Sequence, residues 1–329
     1  MPTMTLDEIE TLARDALMRA GAADHQAAPV ARSTRLAERD GVRSHGLLYV
    51  PIYAEHVRCG KVAGTAEPVV ERPRAGLVRV DAANGFAHAA IDEGFDAFVE
   101  AARTQGIAAM TVHRSYNCGV LGHHAERIAE AGLVGLCFTN APASIAPTGG
   151  AKPVVGTNPY ALAVPGGAGA AFVIDQSASA IAKSEIMLRQ REGVAIEEGW
   201  ALDAEGNPTT DPAAALKGSM VPSGGAKGFN TGLMVEVFAA AIAGATLGRD
   251  ASPFSGTAGG PPATGQCFLA IDAQTASGGA FQERLSRLVD FVTEQEGTRL
   301  PGSRRAGARA RTAEGVDVPQ DLLDRIAGA

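Results

Sequence analysis

The sequence predicts an α/β fold in which a central sheet domain is joined to a helical part built from both terminal segments. The chain has 329 residues, enough for about two domains at the usual length of ~150 residues each. From Leu77 onward, short β-type runs alternate with helical patterns, whereas the segments before that point read as helices. The predicted boundaries are residues 1–74 and 275–329 for the helical part and residues 75–274 for the sheet domain.

Two helices are predicted near the N-terminus. Thr5 and Glu8 have the spacing of a capping box, and Gly21 supplies the stop of the first helix. The second helix is expected over residues 24–39. The polar segment 43–46 then lies between two helical patterns.

The middle and the end of the chain alternate between the two element types. Strands are expected at residues 77–81, 107–112, 133–138, 161–164, 172–175 and 267–271, and helices at 86–104, 122–131, 229–244 and 279–294. Residues 140–159 are rich in Pro and Gly without a helical period, which predicts a long ordered loop of the kind that is usually functional. Residues 304–311 are predicted to form a basic loop ahead of a short final helix.

Composition and charge exclude several classes of function. The net charge of −7 argues against nucleic acid as a partner, because phosphate neutralisation needs a clustered excess of Lys and Arg. Cys59, Cys118, Cys137 and Cys267 stand far apart without a CxxC pair, so they predict reduced structural cysteines and no metal site. The N-terminus has no signal-peptide pattern, and the longest apolar run contains Glu236. We therefore expect a cytoplasmic protein without a membrane partner.

One short motif could carry acid–base chemistry. His45 lies between Ser44 and Gly46, and a His held by a neighbouring hydroxyl on a Gly-punctuated turn can exchange a proton near neutral pH. A surface or capping His is the alternative. Asp175, at the end of a strand, and Glu185 could orient such a His, but either could equally cap a helix or form a surface ion pair.

Two turns could bind an anionic or polar group. Residues 156–159 (GTNP) end the long loop just before a strand, and residues 115–119 (SYNCG) lie between a strand and a helix, where free N–H groups suit a phosphate or carboxylate. An ordinary turn and ordinary helix capping would use the same residue types. No GxGxxG string follows a strand, and the nearest one, residues 166–169, precedes a strand instead of a helix. A nucleotide would therefore have to bind in another way.

The order of the motifs along the chain is more specific than any one of them. The series is SHG at 44–46 with Tyr53 and Gly60 behind it, SYNCG at 115–119, APTGGAKPVVGTNP at 146–159, DQSAS at 175–179, GWALDAEGNPTTDP at 199–212, SGGAKGFNTGLMVEV at 223–237 and PGSRR at 301–305. This series resembles the malate/L-lactate dehydrogenase-like family over nearly the whole chain. The family includes ureidoglycolate and (R)-sulfolactate dehydrogenases and the Δ1-piperideine-2-carboxylate/Δ1-pyrroline-2-carboxylate reductases. The resemblance implies an NAD(P)-dependent homodimer whose sheet domain binds the cofactor without a Rossmann fold.

The resemblance also implies roles for individual residues. His45 becomes the proton donor and acceptor, with Ser44 beside it in a relay and Glu185 where the relay acid is usually an Asp. Thr157 matches a substrate contact. The stretches that match cofactor-binding segments contain Asn117, Cys118, Gly119, Val120, Leu121, Asp175, Gln176, Ser177, Lys227, Gly302, Arg304 and Arg305.

Two positions depart from the family pattern. Asn117 stands where many members have His, and Tyr49 stands where the pattern SHGxxR has an Arg that binds the substrate carboxylate. Replacement of a bidentate guanidinium by a phenol donor would weaken carboxylate binding. Either Tyr49 marks a pocket rebuilt for a bulkier or doubly charged acid, with Arg43, Lys152 or Lys183 holding the charge, or carboxylate binding is weakened.

The resulting functional hypothesis is hydride transfer between nicotinamide C4 and C2 of a small 2-hydroxy/2-oxo acid of the malate, lactate or sulfolactate type. A cyclic-imine reductase is the first alternative, and an inactive nucleotide-binding paralogue is the second. Arg304 and Arg305 favour NADPH over NADH, because a 2′-phosphate needs cations. The apolar helix predicted at 229–244 favours a homodimer, since it needs a partner surface.

Overall fold

The computed structural model describes residues 1–167 and 169–329. Its helices are α1 (Leu6–Arg19), α2 (Asp24–Arg39), α3 (Val50–Arg58), α4 (Ala87–Gln105), α5 (Leu121–Glu130), α6 (Lys183–Glu192), α7 (Pro212–Lys217), α8 (Ala226–Glu236), α9 (Ala273–Ala276), α10 (Phe281–Thr293), α11 (Ser303–Arg311) and α12 (Gln320–Ala327). Its strands are β1 (Thr3–Met4), β2 (Val69–Arg74), β3 (Leu77–Asp81), β4 (Ile107–Ser115), β5 (Val134–Thr139), β6 (Tyr160–Gly166), β7 (Gly169–Gln176), β8 (Ala201–Leu202), β9 (Pro208–Thr209), β10 (Ser219–Met220), β11 (Thr264–Ile271) and β12 (Val316–Asp317).

A seven-stranded mixed sheet forms the centre of the molecule, which confirms the predicted α/β class. The strand order is β2-β3-β4-β11-β5-β6-β7. β3 and β4 run parallel, whereas the late strand β11 lies antiparallel between β4 and β5. The end of β7, at Asp175 and Gln176, lies beside the start of β6 and therefore at one corner of this sheet.

Helices α4 and α5 cover the sheet because each presents an apolar face to it. Phe98 and Ala102 of α4 and Ala125 and Ile128 of α5 are buried in the largest core cluster together with Val80 and other strand residues. α4 ends at Gly106, whose left-handed φ of +79° suits glycine. Burial of this surface fixes the start of α5, and with it the SYNCG turn, against the sheet.

The two ends of the chain pack together. Strand β1 pairs with β12 antiparallel, and Thr3 Oγ1 donates to Asp317 at 2.7 Å. Ile9 of α1, Leu47 and Ile326 of α12 share a second buried cluster. The capping box of Thr5 and Glu8 is present as predicted.

Several elements differ from the sequence prediction. β2 pairs with β3 as an edge strand in a segment assigned to the helical part, and β10, β8 and β9 form a small second sheet in the turn-rich stretch. Residues 304–311 form helix α11, not a loop, because ion pairs of Arg305 with Asp175 and of Arg309 with Asp40 offset the repulsion among its arginines. The predicted apolar helix begins earlier, as α8, and widens into a π-helical turn over Val237–Ile242.

Two other predictions about irregular segments can be compared directly. The long loop before β6 is ordered, with Ile145 and Val155 forming a bridge within it. Gly166 pairs with Gly169 at the tip of the β6–β7 hairpin, whereas Ala168 lies outside the described residues. No helix in the described residues is long and apolar enough to cross a membrane.

Candidate active site

His45 lies on a short 3₁₀ turn, Arg43–His45, between α2 and α3. Ser44 Oγ lies 3.0 Å from His45 Nδ1, which leaves Nε2 of this exposed ring without that restraint. A side chain at Gly46 would force Glu38 to move, because a Cβ at that position would lie 2.1 Å from Glu38 Oε1. The same Glu38 oxygen accepts a hydrogen bond from Leu47 N at 2.7 Å. Ser44 and Glu38 therefore fix the SHG turn, while the His45 ring remains exposed.

The carboxylate that acts on His45 is Asp175. Crowding by the surrounding protein lowers the pKa of His45, the negative charge of Asp175 raises it in part, and His123 lowers it further. Asp175 ends β7, accepts a hydrogen bond from Gly122 N at 3.0 Å and pairs with Arg305 Nη2 at 2.5 Å. This carboxylate thus joins the last strand of the sheet to the starts of α5 and α11.

Glu185 has a different environment. It forms an ion pair with Arg189 one turn along α6, at 3.1 Å, and Arg189 in turn lies over the ring of Trp200. Asp175, and not Glu185, is the carboxylate whose charge acts on His45. The role of Glu185 as a relay acid stays a prediction.

A buried charge cluster behind the SHG turn was missed in the sequence. Asp40, at the end of α2, accepts hydrogen bonds from His123 at 3.1 Å and from Arg309 at 2.8 and 2.9 Å. Burial raises the pKa of Asp40, but the hydrogen bonds from Arg309 and its other partners outweigh burial and hold that pKa well below its usual range. Arg309 also donates to Glu126. The cluster ties α2, α5 and α11 together around His45.

Three tyrosine side chains pack together as an aromatic cluster. The rings of Tyr49 and Tyr53 meet edge-to-face at 4.7 Å, and Tyr53 contacts Tyr116 at 6.0 Å. Tyr53 Oη donates to Asn117 Oδ1 at 2.8 Å, and Gly119 N points at the same oxygen at 3.3 Å. Because both neighbours donate, the Asn117 Nδ2 group is left to donate elsewhere. Burial raises the pKa of Tyr49 to about 12, so its hydroxyl stays protonated.

Four helices begin without a side-chain cap at the predicted cofactor and substrate stretches. They are α5, after Asn117–Val120, α6, at Lys183, α8, at Lys227, and α11, after Gly302, although at α5 the Gly122 N–H is already bonded to the carboxylate of Asp175. An uncapped N-terminus offers free N–H groups and a positive dipole end to an anion. Lys227 and Arg304 are exposed there, whereas Arg305 is engaged by Asp175. These residues fit an anionic dinucleotide.

The segment after β7 connects three of the predicted stretches. Ala178 N donates to the carbonyl of Thr157 at 2.8 Å, and Ser223 N donates to the carbonyl of Ala178 at 2.8 Å. Ser177 Oγ lies 3.0 Å from Ser179 Oγ, while Gln176 bonds to Tyr160. Thr157, Ser177 and the start of α8 are thereby close together.

Two residues of the predicted stretches have mainly structural contacts, and a third, Lys183, is marked by its position at a helix start. Asn158, next to Thr157, is buried and donates to Glu236 at 2.7 Å, as expected for an ordinary turn. Cys118 is buried within the core, and burial raises the pKa of its thiol to about 12. Lys183 is the first residue of α6, where a cation opposes the helix dipole, and desolvation lowers the pKa of its amine.

Comparison with known proteins shows similarity over nearly the whole chain. Residues 4–327 match the family model described as malate/L-lactate dehydrogenase. A (2R)-3-sulfolactate dehydrogenase (NADP+) from Chromohalobacter salexigens is 42% identical over 98% of this chain and 96% of its own length. A Δ1-pyrroline-2-carboxylate reductase from Ancylobacter novellus is 40% identical over 98% of this chain and 96% of its own length. The crystal structure of a Δ1-piperideine-2-carboxylate reductase from Pseudomonas syringae pv. tomato superimposes with a TM-score of 0.94 at 34% identity, covering 100% of this chain and 99% of that one.

Proposed function

Because this chain belongs to the malate/L-lactate dehydrogenase family, we propose that His45 is its acid–base residue in hydride transfer to and from C2 of a small 2-hydroxy/2-oxo acid. The chain is an NAD(P)-dependent oxidoreductase. The observation that carries the proposal is the open Nε2 side of His45, with Nδ1 held by Ser44 and the charge of Asp175 within range. A nicotinamide cofactor supplies the hydride in reduction and takes it up in oxidation.

The proton is handled by the SHG turn. In the reducing direction, protonated His45 donates its Nε2 proton to the oxygen on C2 as that oxygen gains negative charge, and in oxidation the neutral ring accepts the proton. Ser44 fixes the ring orientation through Nδ1. Asp175 stabilises the imidazolium by its charge, and it is itself held by Gly122 N and Arg305.

Cofactor binding is assigned to the uncapped helix ends. Asn117–Leu121, Asp175–Ser177, Lys227 and the Gly302 turn would surround the dinucleotide, and the exposed Arg304 would contact a 2′-phosphate. Arg305 would act through Asp175, with which it is paired. NADP is therefore the favoured cofactor. Comparing kcat/KM for NADPH and NADH tests this assignment, and a preference for NADH would contradict it.

Tyr49, Thr157 and Lys183 are the proposed substrate contacts. A cyclic imine is the second candidate substrate, supported by the reductase relatives at 40% identity and lower. Purified protein with NADPH and matched panels of 2-oxo acids and cyclic imines separates the two by loss of absorbance at the reduced-nicotinamide band. Faster turnover of a 2-oxo acid supports the proposal. Turnover of imines alone, or cofactor binding without any turnover, would contradict it.

We further propose a cytoplasmic homodimer. Leu233, Met234, Val237 and Ile242 are exposed along α8 and its π-helical turn, and Leu247 continues this apolar row. Exposed apolar surface of this kind is typical of a protein interface. Within each protomer, residues 1–74 and 275–329 would form the helical domain. The free, mostly buried cysteines suit a reducing compartment. Sedimentation and cell fractionation test the two assignments.

A further inference from the structure

Lys61 is a buried cation without a carboxylate partner. It follows α3 by three residues and is 1% exposed. Its ammonium group donates to the carbonyl of Pro253 at 2.7 Å and approaches that of Ser255 at 3.5 Å. In the part of the chain that the structure describes, no Asp or Glu oxygen lies within 4.0 Å of it. Backbone carbonyls satisfy its hydrogen bonds but leave its net charge in place.

The turn whose carbonyls bind Lys61 also contacts Tyr49, a proposed substrate contact. Tyr49 Oη approaches the carbonyl of Phe254 at 3.4 Å, and His56 Nε2 donates to the carbonyl of Gly256 at 3.0 Å. Residues 253–256, which we call the carbonyl turn, thus direct four successive carbonyls toward residues 49–61. Lys61 and Tyr49 bind neighbouring carbonyls of one turn.

The position of this charge matters because burial strengthens its effect. A charge removed from water acts on its neighbours through a lower effective dielectric and is poorly screened by salt. The pKa of His56 responds to this field: burial lowers it, the Gly256 carbonyl raises it, the charge of Lys61 lowers it again, and the charge of Glu55 raises it to a smaller extent. A substrate anion beside Tyr49 would feel the same field with the opposite, favourable sign.

We propose that Lys61 is a specificity-determining residue that makes this site prefer 2-oxo and 2-hydroxy acids with a second anionic group. The inference rests on the proposed function, since it takes the substrate to lie beside Tyr49. Tyr49 stands where the family pattern has an Arg, so this position carries no charge of its own, and the ammonium of Lys61, bound to the adjoining carbonyl of the same turn, supplies the positive potential. Lys61 acts through this field and through the carbonyl turn, without touching the substrate.

A purely structural role for Lys61 makes a different prediction. If Lys61 only holds the carbonyl turn, its loss should weaken all substrates alike. If its charge acts on the substrate, the loss should grow with the substrate's charge, because electrostatic energy is proportional to charge. The ratio of two substrates that differ in one charge therefore separates the two roles.

The test uses oxaloacetate and 2-oxobutyrate, in which a methyl group replaces the second carboxylate. We expect wild type to prefer oxaloacetate in kcat/KM, and Lys61→Met to lower that preference about tenfold, mainly through KM. Lys61→Arg should restore most of it, because it keeps the charge. Tyr49→Phe is the matched control, since it removes the bond to the carbonyl turn without removing a charge, and should affect both substrates to a similar extent.

A wild-type enzyme without a preference for oxaloacetate would overturn the proposal, and this arm needs no variant to fold. An unchanged ratio in Lys61→Met, or no recovery in Lys61→Arg, would overturn it as well. Calorimetry with NADP+ and malate or 2-hydroxybutyrate gives the same comparison for binding. Suppose that the wild type binds malate more tightly than 2-hydroxybutyrate and that Lys61→Met loses this preference, but that no 2-oxo acid is turned over. The proposed function has then failed, while the assignment of Lys61 stands.

Discussion

His45 is the residue on which the proposed chemistry depends. Its Nδ1 is held by Ser44 while the rest of the ring is exposed, so removal of the ring takes away the proton donor without leaving a buried cavity. We expect His45→Ala to lower kcat by about two to four orders of magnitude, with nearly unchanged cofactor affinity. Single-turnover kinetics and cofactor titration check both parts. A variant that retains more than about a tenth of wild-type kcat would remove His45 from the mechanism.

Asp175 should set the pH dependence of that step. Its charge raises the pKa of His45, against desolvation by the surrounding protein, which lowers it. In Asp175→Asn the pKa of His45 therefore falls further, also because Arg305 loses its anionic partner. Reduction needs the protonated ring, so the pH above which kcat/KM for reduction declines should move to lower values, by about one unit.

Glu185→Gln is the matched control for this experiment. Glu185 pairs with Arg189, and its charge is absent from the groups that act on His45. Its loss should leave the pH profile in place. A profile that shifts in Glu185→Gln and stays fixed in Asp175→Asn would reverse the two assignments and support the relay role predicted for Glu185.

At the level of elements, signals that act within a few residues were predictable. The Thr5–Glu8 capping box, the strand of residues 77–81 and the SHG turn all follow from neighbouring residues. The position of β11 does not, since it pairs with β4 and β5 across more than a hundred residues of chain and no local pattern specifies that register. Helix α11 was misread for the same reason, because its arginines are neutralised by Asp40, Glu126 and Asp175.

The candidate site likewise contains contacts between sequence neighbours, which could be predicted, and contacts between distant residues, which could not. Ser44 and His45 are adjacent in sequence and could be found together. Asp40 and Arg309 lie 269 positions apart, and Asp40 and His123 lie 83 apart, so the cluster exists only once α2, α5 and α11 have packed. The adjacent His123 and His124 of α5 do not act as a pair. They instead face Asp40 and the carbonyl of Cys118.

Helices α4 and α5 bring buried histidines together, which predicts a loss of stability in mild acid. His88 is 3% exposed with neither ring nitrogen bonded in the described residues, and burial lowers its pKa well below the usual value. Burial likewise lowers the pKa of His124 to about 4. Both rings fold as neutral groups, so between pH ~6.5 and ~4 the unfolded chain binds protons that the folded chain does not. Stability must fall as pH falls through this window.

Calorimetry at pH 7 and pH 5 measures this effect. We expect Tm to fall by on the order of 5 °C, and His124→Gln to reduce the fall, since Gln can still donate to the carbonyl of Cys118. His25→Gln is the control, because His25 is exposed on α2. Asp40 does not contribute in this window, because its pKa lies well below it and the carboxylate stays ionised. An equal fall in wild type and in His124→Gln would contradict this explanation.

For the whole molecule, the main apolar surface that the protomer leaves exposed is the row on α8 and its π-helical turn. Leu233 and Val237 lie one turn apart and are 45% and 47% exposed, and Ile242 is 56% exposed. The sequence predicted this helix to be apolar and in need of a partner, but the protomer buries only its other side, through Gly232, Val235 and Ala239. A second copy of the chain is the simplest partner, since an isologous contact buries the same row twice.

Val237→Lys should therefore convert a dimer into a monomer at ~10 μM, because two buried ammonium groups would face each other across the symmetry axis. Met18→Lys is the control: Met18 is 44% exposed near the end of α1, where a cation suits the helix dipole, so this variant should stay dimeric. Sedimentation velocity of wild type and both variants checks the prediction. A monomeric wild type, or a Val237→Lys variant that sediments as a dimer, would show that α8 is not the interface, and the apolar row would then need another partner.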